Sequence, residues 1–100
     1  MNGNLDIPKD KIVEFCRKWK IKEFSLFGSV LRADFGPDSD VDVLVSFDAD
    51  APWSLFDLAE MTDELKDIFR REVDLVEKAG LRNPYRRHAI LTSREVIYAA

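Results

Sequence analysis

The chain has 100 residues, enough for one folded domain, and its 46% hydrophobic and 34% charged composition is typical of a globular rather than a disordered protein. A net charge of −4 disfavours a general nucleic-acid binder, whose surface is usually basic. No apolar run approaches the roughly 20 residues that span a bilayer, which disfavours a membrane protein. We therefore expect one domain over residues 1–100, for which the charge disfavours a nucleic-acid partner and the hydropathy excludes a membrane.

The cysteine content and the distribution of charge along the chain indicate the compartment and the kind of ligand. Cys16 is the sole cysteine, and the N-terminus lacks the basic start and apolar stretch of a signal peptide, so we expect a cytoplasmic protein. Residues 34–50 contain six aspartates and no basic residue, whereas residues 82–94 contain four arginines, one histidine and no acidic residue. Two such segments could together hold a cation-bound polyphosphate, although solvated surface charge explains either one alone.

The first predicted element is a helix from about Pro8 to Lys20, because Ile12, Cys16 and Trp19 recur at spacings of four and three. We assign Cys16 and Trp19 to the core.

A short apolar run, Phe24–Phe27, predicts a buried strand. Gly28 and Ser29 follow as a tight turn, and residues 30–34 are predicted to begin a brief helix.

The strongest strand signal is Asp40–Val45, where polar and apolar residues alternate before a β-branched apolar run. Ser54 and Asp57 have the spacing of a capping box and predict the start of a helix. Its apolar stripe continues through Leu58, Met61, Leu65 and Ile68. Phe56 is assigned to the core, whereas Trp53, in a predicted loop beside Pro52, could be exposed and could contact a partner or a base.

Another strand is predicted at Val73–Val76, and Asn83-Pro84 predicts the cap and first turn of a last helix. That helix would run to the end of the chain, with the stripe Ile90, Leu91, Ile97 and Tyr98. Strands interleaved with helices indicate an α/β (α+β) fold, in which helices pack against a small mixed sheet.

Three acidic residues carry the chemical signal. Asp40 and Asp42 lie two apart at the start of a strand, so their carboxylates share one face, roughly 6 to 7 Å apart. Such a pair is costly unless a cation lies between its members, and Mg²⁺ prefers oxygen ligands. Asp74, in an otherwise apolar strand, is the candidate third ligand and general base, with Glu72 as the competing assignment. Three carboxylates would suit two ions, one at the attacking hydroxyl and one at the triphosphate.

A second set of residues is suited to phosphate. Gly28 has no Cβ to block the approach of a phosphate to the backbone, and Ser29 adds a hydroxyl donor. Ser39 could donate a further hydrogen bond. Arg32 could pair with a phosphate or with Asp34, and the sequence leaves this open.

The segments Phe27–Asp34 and Ser39–Val45 resemble the DNA polymerase β-like nucleotidyltransferase superfamily, and more narrowly the MNT-type minimal nucleotidyltransferases. The resemblance extends to the strand Val73–Val76 and implies the polymerase β-like nucleotidyltransferase fold. It further implies that Gly28 and Ser29 bind phosphate. By the same resemblance, the Mg²⁺ ligands are Asp40, Asp42 and Asp74. Ala33 departs from the glycine that often follows the arginine in this family.

The resemblance also implies a biological role. Family members of this size often act as antitoxins of a HEPN-domain ribonuclease toxin and transfer AMP from ATP to one of its tyrosines. Two alternatives remain open: neutralisation of the toxin by steric occlusion alone, and nucleotidyl transfer to an RNA end or a small hydroxylated molecule. Mn²⁺ in place of Mg²⁺ also remains open.

Overall fold

A computed structural model of the chain describes residues 7–31, 36 and 39–100. Its helices and strands follow one another as α1 (Lys9–Lys18), β1 (Ile21–Phe27), β2 (Val41–Phe47), α2 (Leu55–Phe69), β3 (Val73–Glu77), α3 (Pro84–Ser93) and β4 (Glu95–Ala99). Short 3₁₀ turns follow β1 at Gly28–Leu31 and β3 at Lys78–Gly80. No helix in the described part of the chain is long and apolar enough to cross a bilayer.

The four strands form one mixed sheet in the order β3-β2-β1-β4. β2 and β3 are parallel, whereas β1 is antiparallel to both of its neighbours, β2 and β4. The prediction of a small mixed sheet with helices packed against it is confirmed.

Both faces of the sheet are covered by helices. Val41, Val43 and Val45 are fully buried and belong to the cluster that contains the apolar residues of α1 and α2. Leu44 points the opposite way because side chains alternate along a strand, and it packs with Ile90 of α3. The sheet is therefore a middle layer, with α1 and α2 on one face and α3 on the other.

Local sequence explains where the helices begin. Ser54 accepts a hydrogen bond from the Asp57 backbone N–H, and the Asp57 carboxylate accepts one from the Ser54 backbone N–H, which completes the predicted capping box of α2. Asn83 caps α3 by accepting hydrogen bonds from the backbone N–H groups of Tyr85 and Arg86. Pro84 takes the first helical position, where no N–H is needed.

The predicted last helix is wrong in its second half. It ends at Ser93, and Glu95–Ala99 forms the edge strand β4, with Ser25 paired to Val96 and Phe24 to Tyr98. β-Branched and aromatic residues suit a pleated edge, and the pairing with β1 decides the outcome.

The assignment of Phe56 to the core is also wrong. Phe56 is 88% exposed, because the inward face of α2 is taken by Met61, Leu65 and Phe69. Trp53 is half-buried rather than exposed: its ring packs edge-on against Trp19, and its indole N–H donates to the Trp19 carbonyl at 2.6 Å. Cys16 and Trp19 are buried, as predicted.

Candidate active site

Asp42 and Asp74 are direct partners in the register of the two parallel strands β2 and β3. Partners on neighbouring strands lie about 5 Å apart and point to the same face of the sheet. Asp42 stands between Val41 and Val43, which face α1 and α2, so both carboxylates emerge on the α3 face. The structure therefore brings these two predicted site residues together.

Asp40 lies immediately before β2, two residues from Asp42, and is exposed. Its backbone carbonyl accepts a hydrogen bond from the Ser29 hydroxyl at 3.3 Å. The turn that begins with Gly28 and Ser29 is thereby tied to the start of β2, on the same side of the molecule as the carboxylates.

Gly28 lies at the edge of the site, next to Asp42. Its φ of 73° lies in the left-handed region that side chains disfavour. A Cβ built there would lie 3.2 Å from Cγ of Asp42 and closer still to its Oδ2. The backbone of the turn therefore lies directly against the Asp42 carboxylate, with no room for a side chain.

Ser39 directly precedes Asp40 and is hydrogen-bonded to Gly36. Its backbone N–H donates to the Gly36 carbonyl, and its hydroxyl accepts from the Gly36 N–H, each at 3.1 Å. The guanidinium of Arg71 donates to the carbonyls of Gly36 and Ser39, at 2.7 and 3.2 Å. Sequence reasoning missed Arg71, because an arginine between a helix and a strand has no pattern that separates it from surface charge.

Glu72 and Arg32 are the two remaining residues that the sequence analysis considered for the site. The Glu72 carboxylate is 75% exposed and lies 3.5 Å from the Lys66 ammonium, so it already has a cationic neighbour, which favours Asp74 as the third carboxylate. Arg32 lies outside the described residues.

The acidic side chains form an open arrangement. Across residues 7–31, 36 and 39–100, no three histidine, cysteine, aspartate or glutamate side chains lie close enough to form a complete metal-ligand set. The carboxylate oxygens of Asp42 and Asp74 nevertheless fit a hard divalent cation by type and proximity. Asp40 would join them by rotating its exposed side chain, which like-charge repulsion opposes when no cation is bound.

The basic segment 82–94 is divided between structural contacts and solvent. Arg94 forms an ion pair with Glu23, and Arg87 donates to the Lys78 carbonyl at 3.1 Å. Arg82, Arg86 and His88 are exposed.

The other end of the sheet has a different character. A cavity of about 290 Å³ lies there, lined by residues that include Phe47, Trp53 and Leu58. Phe47 is five residues along β2 from Asp42, so about 16 Å of strand separates this cavity from the carboxylates.

The sequence of the chain is similar to those of known nucleotidyltransferases. The family described as nucleotidyltransferase domain matches residues 9–97. The chain is 34% identical over 85 residues to "Protein adenylyltransferase MntA" of Thermococcus cleftensis, which covers 85% of this chain and 81% of that protein.

The fold of the chain is also similar to those of solved structures. A minimal nucleotidyltransferase superposes with a TM-score of 0.72 at 29% identity, covering 87% of this chain and 86% of that one. A chain from the complex of a tri-AMPylated HEPN toxin of Shewanella oneidensis with its MNT antitoxin superposes with a TM-score of 0.67 at 21% identity, over 92% of this chain and 70% of that one. This second likeness is one of fold.

Proposed function

Because the chain belongs to the nucleotidyltransferase domain family, we propose that it transfers AMP from ATP to a tyrosine hydroxyl of a HEPN-family toxin and thereby acts as the antitoxin in the cytoplasm. The observation that carries the proposal is the pairing of Asp42 with Asp74 beside the Gly28 turn. The relative from Thermococcus cleftensis, which is named a protein adenylyltransferase, supports the choice of reaction. The Shewanella oneidensis complex, which contains an AMPylated HEPN toxin, supports the choice of partner.

The site residues divide the reaction among them. Asp40, Asp42 and Asp74 would hold Mg²⁺, or Mn²⁺ in its place, and the bound ions would neutralise the triphosphate and lower the pKa of the acceptor hydroxyl. The turn at Gly28 lets the phosphates approach the backbone, where Ser29 and Ser39 offer hydroxyl donors, and Arg32 is a candidate to pair with a phosphate.

The acceptor oxygen attacks the α-phosphorus, and the bond to the bridging oxygen of the β-phosphate breaks. Pyrophosphate leaves, and the hydroxyl proton passes to Asp74 as general base. The product carries AMP in a phosphodiester link to the tyrosine.

The apolar surface at the start of α2 supports a protein partner. Leu55 and Phe56 are 82% and 88% exposed. No lysine, arginine or histidine occurs from residue 33 to residue 65, while Asp57 and Glu60 lie on the same helix. An apolar centre with an acidic surround is complementary to a partner surface that carries arginine or lysine around an apolar hollow. The same surface favours the second candidate function, neutralisation by occlusion without transfer.

The test uses Asp42→Asn and Asp74→Asn, with Asp10→Asn, an exposed aspartate of α1, as the matched control. Each variant is incubated with labelled ATP, Mg²⁺ and a purified HEPN-family toxin. We expect AMP transfer to fall at least ~100-fold for both site variants and to stay at the wild-type level for the control. Because Asp74→Asn removes one of two neighbouring like charges, the resistance of this variant to urea should be unchanged or higher.

Wild-type transfer by both site variants would show that the carboxylate assignment is wrong. Variants that transfer no AMP but still protect cells from the toxin would favour occlusion.

A further inference from the structure

We propose that Arg71 is a positioning residue: its guanidinium holds Gly36 and Ser39 in place before Asp40 and so sets the distance between Asp40 and Asp74 at which a divalent cation and its nucleotide bind. The inference rests on the proposed function. Arg71 itself touches neither substrate nor metal in this scheme and acts through Gly36 and Ser39.

The first support is the pair of hydrogen bonds from one nitrogen. Nη1 of Arg71 lies 2.7 Å from the Gly36 carbonyl oxygen and 3.2 Å from that of Ser39. Gly36 and Ser39 are also joined to each other by two hydrogen bonds of 3.1 Å. One half-buried cation therefore contacts both Gly36 and Ser39, and the residue after Ser39 is Asp40.

The second support lies on the other side of Asp40. The backbone N–H of Val41 donates to the Glu72 carbonyl at 2.9 Å. Residues 71 and 72 thus hold the chain both before and after Asp40, and the same segment continues into the strand that carries Asp74. A shift of this segment would displace Asp40 and Asp74 relative to each other.

An arginine is well suited to these contacts. Nη1 carries two hydrogens in a fixed plane, so it can donate to two carbonyls at once. A lysine keeps the charge, but its ammonium stands on a flexible stem, and its three donors have no fixed plane. Without the two hydrogen bonds from Arg71, the divalent cation itself would have to order Gly36 and Ser39 when it binds. This would weaken the affinity of the site for the cation.

The test compares Arg71→Lys and Arg71→Gln with Arg17→Lys, a matched control on the exposed side of α1. The first measurement is hydrogen exchange of the Ser39 and Val41 amides without any nucleotide. The second is calorimetric titration of a non-hydrolysable ATP analogue at several Mg²⁺ concentrations. We expect protection of both amides to fall about 10-fold or more in the Arg71 variants, and the Mg²⁺ concentration for half-maximal analogue binding to rise about 10-fold. The control should match the wild type in both.

The outcomes separate this inference from the proposed function. Unchanged amide protection in both Arg71 variants would show that Arg71 does not hold Gly36 and Ser39 in place, whatever the activity. Reduced protection with unchanged Mg²⁺-dependent binding overturns the positioning role and leaves the proposed function standing. If the wild-type protein binds no Mg²⁺-nucleotide, the proposed function and this inference fail together. If neither Arg71 variant folds, Arg71 serves the global fold and the local role is overturned.

Discussion

Gly28 and Gly80 differ in how strictly the structure requires glycine at their positions. Gly28 combines a φ of 73° with a neighbouring carboxylate that leaves no space for a methyl group. Gly80 lies outside the left-handed region, and a Cβ added there would meet nothing within 4 Å. The two glycines therefore form a matched pair for separating a site requirement from a general property of glycine.

We expect Gly28→Ala to lower the free energy of unfolding by about 1–3 kcal/mol, because the new Cβ is strained at positive φ and presses on Asp42. Nucleotidyl transfer should fall at least ~10-fold, since Asp42 must move to make room. Gly80→Ala should be neutral or stabilise by up to ~1 kcal/mol, because it reduces the freedom of the unfolded chain. Urea denaturation and a transfer assay measure both variants, and equal losses for the two would contradict the role of Gly28.

At this scale the sequence predicts some site residues and misses others, for physical reasons. Asp42 and Asp74 are recognisable because an acidic residue inside an apolar strand is costly and needs an explanation. Arg71 is not, because its contacts are to backbone carbonyls 32 and 35 residues away along the chain, which no local pattern encodes. Phe56 was misassigned because hydrophobicity alone does not say which face of a helix is covered.

Among the elements, α2 is the one whose start is specified most locally. Its capping box satisfies backbone N–H groups that the first turn would otherwise leave without partners. β4 is the opposite case. The segment Glu95–Ala99 contains β-branched and aromatic residues that suit a strand, yet its apolar residues also continue a helical stripe, and only pairing with β1 separates the two.

Ser54→Ala should therefore cost about 1 kcal/mol of stability, since it removes both the acceptor for the Asp57 N–H and the hydroxyl that donates to the Asp57 carboxylate. Ser93→Ala is the control: its hydroxyl donates to the Ala89 carbonyl within α3, so its removal should change stability by less than ~0.5 kcal/mol. Chemical denaturation followed by far-ultraviolet circular dichroism gives both values. Similar losses for the two serines would mean that the cap contributes nothing specific.

The whole molecule is organised around a core in which Cys16 is completely buried. Burial disfavours the thiolate and raises the pKa of the Cys16 thiol to about 12. The thiol is therefore a packing group, and its accessibility reports on opening of the whole fold.

Thiol reagents at pH 8 should consequently modify native Cys16 only as fast as the protein unfolds, and labelling should become rapid in denaturant. The pH dependence follows from the raised pKa: the unfolded chain releases the proton at a lower pH than the folded one. The stability of the wild type relative to Cys16→Ala should thus be constant below about pH 9 and fall between pH 9 and 12. Rapid labelling under native conditions would contradict a closed core.

The two ends of the sheet are suited to separate tasks. β2 and β3 begin at the carboxylates and run toward the cavity beside Trp53 and Leu58. The exposed start of α2 follows β2, so the apolar surface proposed for the partner begins at the end of the sheet away from Asp42. Substitutions at the two ends can therefore be used to separate partner binding from nucleotide chemistry.

β3 is also an edge strand, with β2 as its only neighbour in the described sheet. An open edge can recruit a strand from another molecule and so seed aggregation, and charged side chains discourage this. Glu72 and Asp74 place negative charge where β3 begins, and Glu77 does so where it ends. The carboxylate proposed for catalysis thus also lies on an open sheet edge, and lost activity in an Asp74 variant can be assigned to chemistry only for a sample that size-exclusion chromatography shows to be monodisperse.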